Sequence, residues 1–258
     1  AQGGSNGGSG GSVRSPGCGV ADHLKSATTT IDVGGKQREY TLDVPENYDP
    51  DTAYKLIFGW HWRGGKSSDV VSGQIIGGAY YGLKQRAEGS AIFVAPNGID
   101  NGWANTGGRD IEFLNAMLEL FESKLCIDTS RIFSTGFSYG GMMSFTVGCD
   151  APGVFRAIAP MSGALYSGCN RNGAAPVAVW MAHGNNDEVV PLADGKAALA
   201  VFLEKNGCSD QTMPTMPSPC VSYQSCSDGH PVTYCEFNGG HGPQNFAPQA
   251  VWDFFKQF

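Results

Sequence analysis

The chain has 258 residues, of which 41% are hydrophobic and 16% charged; this provides for a substantial core and excludes disorder throughout. Its formal net charge is -7, from 17 basic and 24 acidic residues, and no basic stripe occurs, which argues against a nucleic-acid partner. No apolar run approaches the roughly 18 to 20 residues needed to span a bilayer, so no membrane partner is expected.

Residues 1–12, AQGGSNGGSGGS, read as a Gly/Ser linker that cannot form a core, and the tail is taken to run to residue 17. A linker of this kind suits attachment to a carbohydrate-binding module. The folded domain is expected over residues 18–258, acting as a monomer. Arg38 to Val44 alternates like an edge strand. Short apolar runs of the buried parallel type follow at Tyr54 to Trp60, Ala91 to Pro96, Arg131 to Gly136, Arg156 to Met161, Val177 to Ala182 and Val232 to Phe237. Helical stretches are expected at Asp110 to Leu125, Ser138 to Cys149, Leu192 to Asn206 and Pro248 to Gln257. Alternating strands and helices predict an α/β fold with a mostly parallel central sheet and helices on both faces.

The cysteines are Cys18, Cys126, Cys149, Cys169, Cys208, Cys220, Cys226 and Cys235. An even number without a CxxC pair points to disulfides, hence to a secreted, extracellular protein. The last four fall in a segment interrupted by Pro214, Pro217 and Pro219, which reads as an irregular loop stapled by its own bridges.

The chemistry centres on Gly136-Phe137-Ser138-Tyr139-Gly140, a GxSxG pentapeptide between an expected strand and an expected helix. Such a turn exposes the serine oxygen at the carboxyl end of the sheet, at a helix start that favours developing negative charge. A serine hydroxyl is a poor nucleophile until a base takes its proton, and in an α/β-hydrolase fold the acid and then the histidine follow it along the chain. His241 lies in a glycine-flanked loop after the last strand, with His230 in the cysteine-rich segment as its rival. Asp187 is the favoured acid, with Glu188 and Asp194 as alternatives. His183, at the end of a strand, suits a structural turn. For the oxyanion, the backbone amide of Tyr139 is one expected donor and that of Trp62 or Arg63 the other. His61, Tyr81 and Trp103 lie in loops that could border the cleft and bind substrate. No metal ion or organic cofactor is required.

The segments GWHWRGG, NGWANTGGRDIEF, SRIFSTGFSYGGMMS, AHGNNDEVVP and GGHGPQNFAPQAVWDFF resemble fungal feruloyl esterases of the family-one carbohydrate esterases, a group that includes acetylxylan esterases and polyhydroxybutyrate depolymerases. The resemblance runs from about Cys18 to Phe258. It implies hydrolysis of the ester that joins ferulic or coumaric acid to arabinose on plant xylan, so the expected partner is a feruloylated cell-wall polysaccharide. It also implies Ser138, Asp187 and His241 as the triad, with Tyr139 and the His61–Arg63 turn around the oxyanion. Many relatives carry Trp-Pro after the glycine-histidine pair where this chain has Gly242-Pro243, which alters that wall of the pocket. The alternatives are an acetylxylan esterase or, from another class, a catalytically dead carbohydrate-binding hydrolase fold.

Overall fold

A computed structural model describes residues 13–73 and 77–258. The strands are β1 (Ala27–Val33), β2 (Lys36–Asp43), β3 (Tyr54–Trp60), β4 (Ala91–Pro96), β5 (Ile127–Phe137), β6 (Ala157–Met161), β7 (Ala178–Gly184), β8 (Thr212–Pro214), β9 (Cys220–Tyr223) and β10 (Val232–Phe237). The helices are α1 (Ser67–Ser72), α2 (Leu83–Ala87), α3 (Arg109–Lys124), α4 (Tyr139–Asp150), α5 (Leu192–Lys205) and α6 (Ala247–Phe255). The strands form one sheet in the order β1-β2-β4-β3-β5-β6-β7-β10-β9-β8. From β4 to β10 every pairing is parallel, while β1, β2, β8 and β9 are antiparallel additions at the two ends.

The parallel strands are apolar on both faces, and the alternation of their side chains divides the core in two. Leu56, Phe58 and Trp60 of β3, with Val179 and Met181 of β7, pack against α3, α4 and α5. Ile57, Ala178 and Trp180 face the other way, toward α1, α2 and α6. Parallel connections of this kind leave the loops after β3, β4, β5, β6 and β7 side by side at one end of the sheet.

Three features differ from the sequence expectation. β2 is not an edge strand: β1, which carries little apolar alternation, pairs outside it. The cysteine-rich segment holds two short antiparallel strands that prolong the sheet, and its cysteines do pair among themselves, as Cys208–Cys226 and Cys220–Cys235. The remaining bridges are Cys18–Cys126 and Cys149–Cys169. The ordered body also starts before residue 18. Arg14 bridges to Asp128, the Ser15 amide donates to Ile127 O (2.9 Å) and the Gly17 amide to Glu122 O (2.7 Å). The linker proper, residues 1–12, lies outside the described residues.

One buried ion pair organises the loop between β4 and α3. Arg38 of β2 donates to Asp110 Oδ1 at 2.8 Å, with side-chain exposures of 4% and 0%. Asp110 Oδ2 accepts the Asn105 amide (2.9 Å), and Asn105 Oδ1 accepts the Asp110 amide (3.0 Å). The Arg38 guanidinium also lies 4.2 Å from the centre of the Phe113 ring. Removing one partner strands a buried charge. Asp110→Ala is therefore expected to destabilise the protein by about 3 to 5 kcal/mol, read as a lower urea midpoint; an unchanged midpoint would mean that the carbonyls of Asn97 and Arg109, to which Arg38 also donates, satisfy it alone.

Candidate active site

Ser138 sits between β5 and α4 with φ 56° and ψ -118°, a backbone conformation that costs an L-residue about 1–3 kcal/mol. The strain persists because the turn has no slack. The Ser138 amide donates to Met161 O at 2.9 Å. A Cβ on Gly140 would collide with the Trp60 carbonyl, and one on Gly136 would collide with the Gly140 backbone, so only glycine fits at either position. Ser138 caps α4 by position, yet its hydroxyl makes no capping bond.

That hydroxyl lies 2.8 Å from His241 Nε2 instead, and His241 Nδ1 lies 2.7 Å from Asp187 Oδ2. A carboxylate only accepts, so Nδ1 carries the ring proton; the bare Nε2 is then the acceptor for the serine O–H. Asp187 is fixed through its other oxygen, which accepts the amides of Val189 (2.9 Å) and Val190 (2.8 Å). His183, fully buried, braces the same loop: its Nε2–H donates to Val190 O at 2.9 Å and lies 3.5 Å from Asp187 Oδ2. The rivals are elsewhere. Glu188 is exposed, Asp194 is bonded to Tyr166, and the His230 ring faces Ser227 in the cysteine-rich segment.

A cleft of about 480 Å³ opens over Ser138 and Tyr139. Its lining includes Arg63, Ile99 and Asp100 from the loops after β3 and β4, Arg109 at the start of α3, Met142 of α4, and Tyr166, Val189 and Val190 from the loops after β6 and β7. The Tyr139 amide, at the first residue of α4, has no intrahelical acceptor and is available to an oxyanion. Arg63 borders the cleft directly, whereas the Trp62 side chain turns away to pack on the α6 face of the core.

The three residues expected to touch substrate do not reach the cleft. Trp103 is fully buried: its indole N–H donates to His61 O (2.8 Å) and its ring meets Trp60 edge-on, while its neighbours Gly102 and Ala104 face the opening. Tyr81 is buried and its hydroxyl donates to Trp60 O. His61 is enclosed as well, its Nδ1–H donating to Trp62 O (2.7 Å) while Nε2 accepts the Gly98 amide (2.9 Å). All three hold backbone rather than ligand, and together they lock the turn that carries the Trp62 and Arg63 amides. Conversely, Tyr166, Met142, Val189 and Ile99 line the cleft without having been singled out. They follow or lie beside strand carboxyl ends, the same positional rule that points to Ser138, Asp187 and His241.

Burial holds the His61 imidazole below its ordinary pKa, a shift that its bond to Trp62 only partly offsets. The neutral ring therefore contributes stability that is complete above about pH 6.5, the ordinary imidazole value. As the pH falls from there toward the lowered folded-state pKa, the unfolded chain takes up a proton that the fold refuses, and that stability is lost. Between pH 7 and pH 5 the wild type is expected to lose more thermal stability than His61→Gln. Parallel losses in melting experiments would show that His61 does not titrate differently on unfolding.

A family model described as Phospholipase/Carboxylesterase matches residues 108–226. Feruloyl esterase C of Emericella nidulans is 43% identical, over 94% of this chain and 91% of its own length. Feruloyl esterase D of Neurospora crassa is 40% identical, over 95% and 90%. Among solved structures, an acetyl xylan esterase from Aspergillus awamori superposes with a TM-score of 0.67 at 17% identity, over 89% of this chain and 99% of that one. A feruloyl esterase module from Clostridium thermocellum gives 0.62 at 15%, over 92% and 89%. At those identities the structures speak to the fold, which is that of the α/β-hydrolases. Taken with the long, closely matching relatives, they show that this chain belongs to the fungal feruloyl esterase family of the α/β-hydrolase superfamily.

Proposed function

We propose that the chain is a carboxylic ester hydrolase that releases ferulic or coumaric acid from the arabinose side chains of plant cell-wall xylan. The observation that carries this reading is the unbroken Asp187–His241–Ser138 relay, 2.7 and 2.8 Å, beneath an open cleft. Ser138 Oγ attacks the ester carbonyl while His241 Nε2 takes its proton, and Asp187 steadies the resulting imidazolium. The Tyr139 amide, with that of Arg63 or Trp62, receives the oxyanion. His241 then gives the proton to the departing sugar oxygen, leaving an acyl-serine. Water, deprotonated by the same imidazole, repeats the attack and frees the acid.

Four disulfides support folding in an oxidising, extracellular setting, where plant cell walls are met.

The test is hydrolysis of methyl ferulate beside acetylated xylan, with Ser138→Ala as the blank. Ferulate release is expected to dominate, and the variant is expected to lose at least about a thousandfold in kcat. Acetate release alone would move the enzyme to acetylated xylan, and an active Ser138→Ala protein would remove the serine from the mechanism.

A further inference from the structure

Tyr166 is the conspicuous aromatic of the cleft. It projects from a single 3₁₀ turn, Leu165–Ser167, after β6, and 57% of its surface is exposed beside Val189, which is 66% exposed. Exposed tyrosines ordinarily sample several rotamers, so a ligand that stacks on one must first immobilise it. Here the ring is already held. Its hydroxyl donates to Asp194 Oδ2, in the first turn of α5, at 2.5 Å. That hydrogen bond, with a smaller contribution from desolvation, raises the phenol pKa, so the group remains a donor.

The turn beneath the ring is equally constrained. Asn105 Nδ2 donates to Ser167 O (3.3 Å) and Thr146 Oγ1 to Gly168 O (2.8 Å), while Cys169 is bridged to Cys149. Ala164, just before the turn, packs with Met142 and Val190. With its hydroxyl proton committed to Asp194, Tyr166 has no donor left for a ligand, and its exposed aromatic ring borders the cleft. With Met142, Val189 and Val190 it makes the apolar wall of the lining, whereas the charged wall, with Arg63, Asp100 and Arg109, comes from the loops after β3 and β4 and the start of α3. Sugar hydroxyls need hydrogen-bond partners and suit the charged wall; a planar, conjugated aromatic suits the apolar one.

We infer that Tyr166, pinned by Asp194, is the platform on which the aromatic ring of the acyl group lies, and so a specificity-determining residue for arylpropenoyl over aliphatic esters. This deepens the functional reading above and rests on it. An aromatic pair contributes about 0.5–1.5 kcal/mol beyond area burial, which corresponds to roughly 2- to 12-fold.

The experiment compares kcat/KM for methyl ferulate and methyl butyrate in the wild type, Tyr166→Ala, Tyr166→Phe and Tyr166→Trp. The ferulate-to-butyrate ratio is expected to fall about 3- to 10-fold in Tyr166→Ala, chiefly through KM for ferulate. Tyr166→Phe, which keeps the ring but loses its tether, is expected to fall less, and Tyr166→Trp to recover most of the ratio. An unchanged ratio in Tyr166→Ala would overturn the inference, as would equal losses on both esters, the mark of a loop that merely props the triad. A loss seen only with a feruloylated arabino-oligosaccharide would assign the ring to the sugar and also overturn it. Failure of the wild type itself to hydrolyse methyl ferulate, with butyrate still turned over, would refute the functional reading separately.

Discussion

The site depends on how closely the chain can approach itself around Ser138. A left-handed backbone at a serine is unfavourable, and it survives only because β3, β5, β6 and the start of α4 meet with no room for a side chain at Gly136 or Gly140. The central position of β5 follows from the same need. With β3 on one side and β6 on the other, the Ser138 amide finds the Met161 carbonyl, and the hydroxyl is lifted clear of the helix it caps. The cost of that turn is offset by the two hydrophobic layers on either side of the sheet.

From that point the site is built by backbone capture. Asp187 is held by two amides of its own loop, whose Val190 carbonyl is held by His183; the opposite turn is held by His61, with Trp103 on its carbonyl. These polar bonds are buried, where each is stronger than in water and a missing partner is costly. Both rims of the cleft are thus fixed independently of any ligand. For the proposed acyl transfer, the amides of Tyr139 and of the His61–Arg63 turn would then be in position before charge develops at the oxyanion.

Much of this was legible in the chain. β3, β4 and β10 fall on the residues that apolar runs mark, most sharply β4, which is buried on both faces along its whole length. GxSxG was legible because its glycines answer a steric demand that no other residue meets. What failed was the inference from aromatic residue to cleft. Trp103 and Tyr81 sit in Gly-rich loops, yet a loop beside a nucleophile also needs internal anchors, and large side chains with one polar atom serve that purpose. Tyr166 lies in the long connection from β6 to β7, and its bond to Asp194, which is distant in sequence, forms only once α5 docks. β1, β8 and β9 escaped because exposed antiparallel strands carry little apolar alternation.

The packing of residues 13–17 has a consequence for whatever chain precedes them. Val13 is bonded to Asp128 and Thr129, at the amino end of β5, while Ser138 stands at the carboxyl end of the same strand. Tyr54 is level with Ile127 and Trp60 with Gly136, so roughly 20 Å of sheet separates the two points at about 3.3 Å per residue. Val13 thus lies at the pole of the sheet opposite the mouth of the cleft. An attachment at Val13 and a substrate at Ser138 would occupy opposite ends of the sheet and would not compete for space.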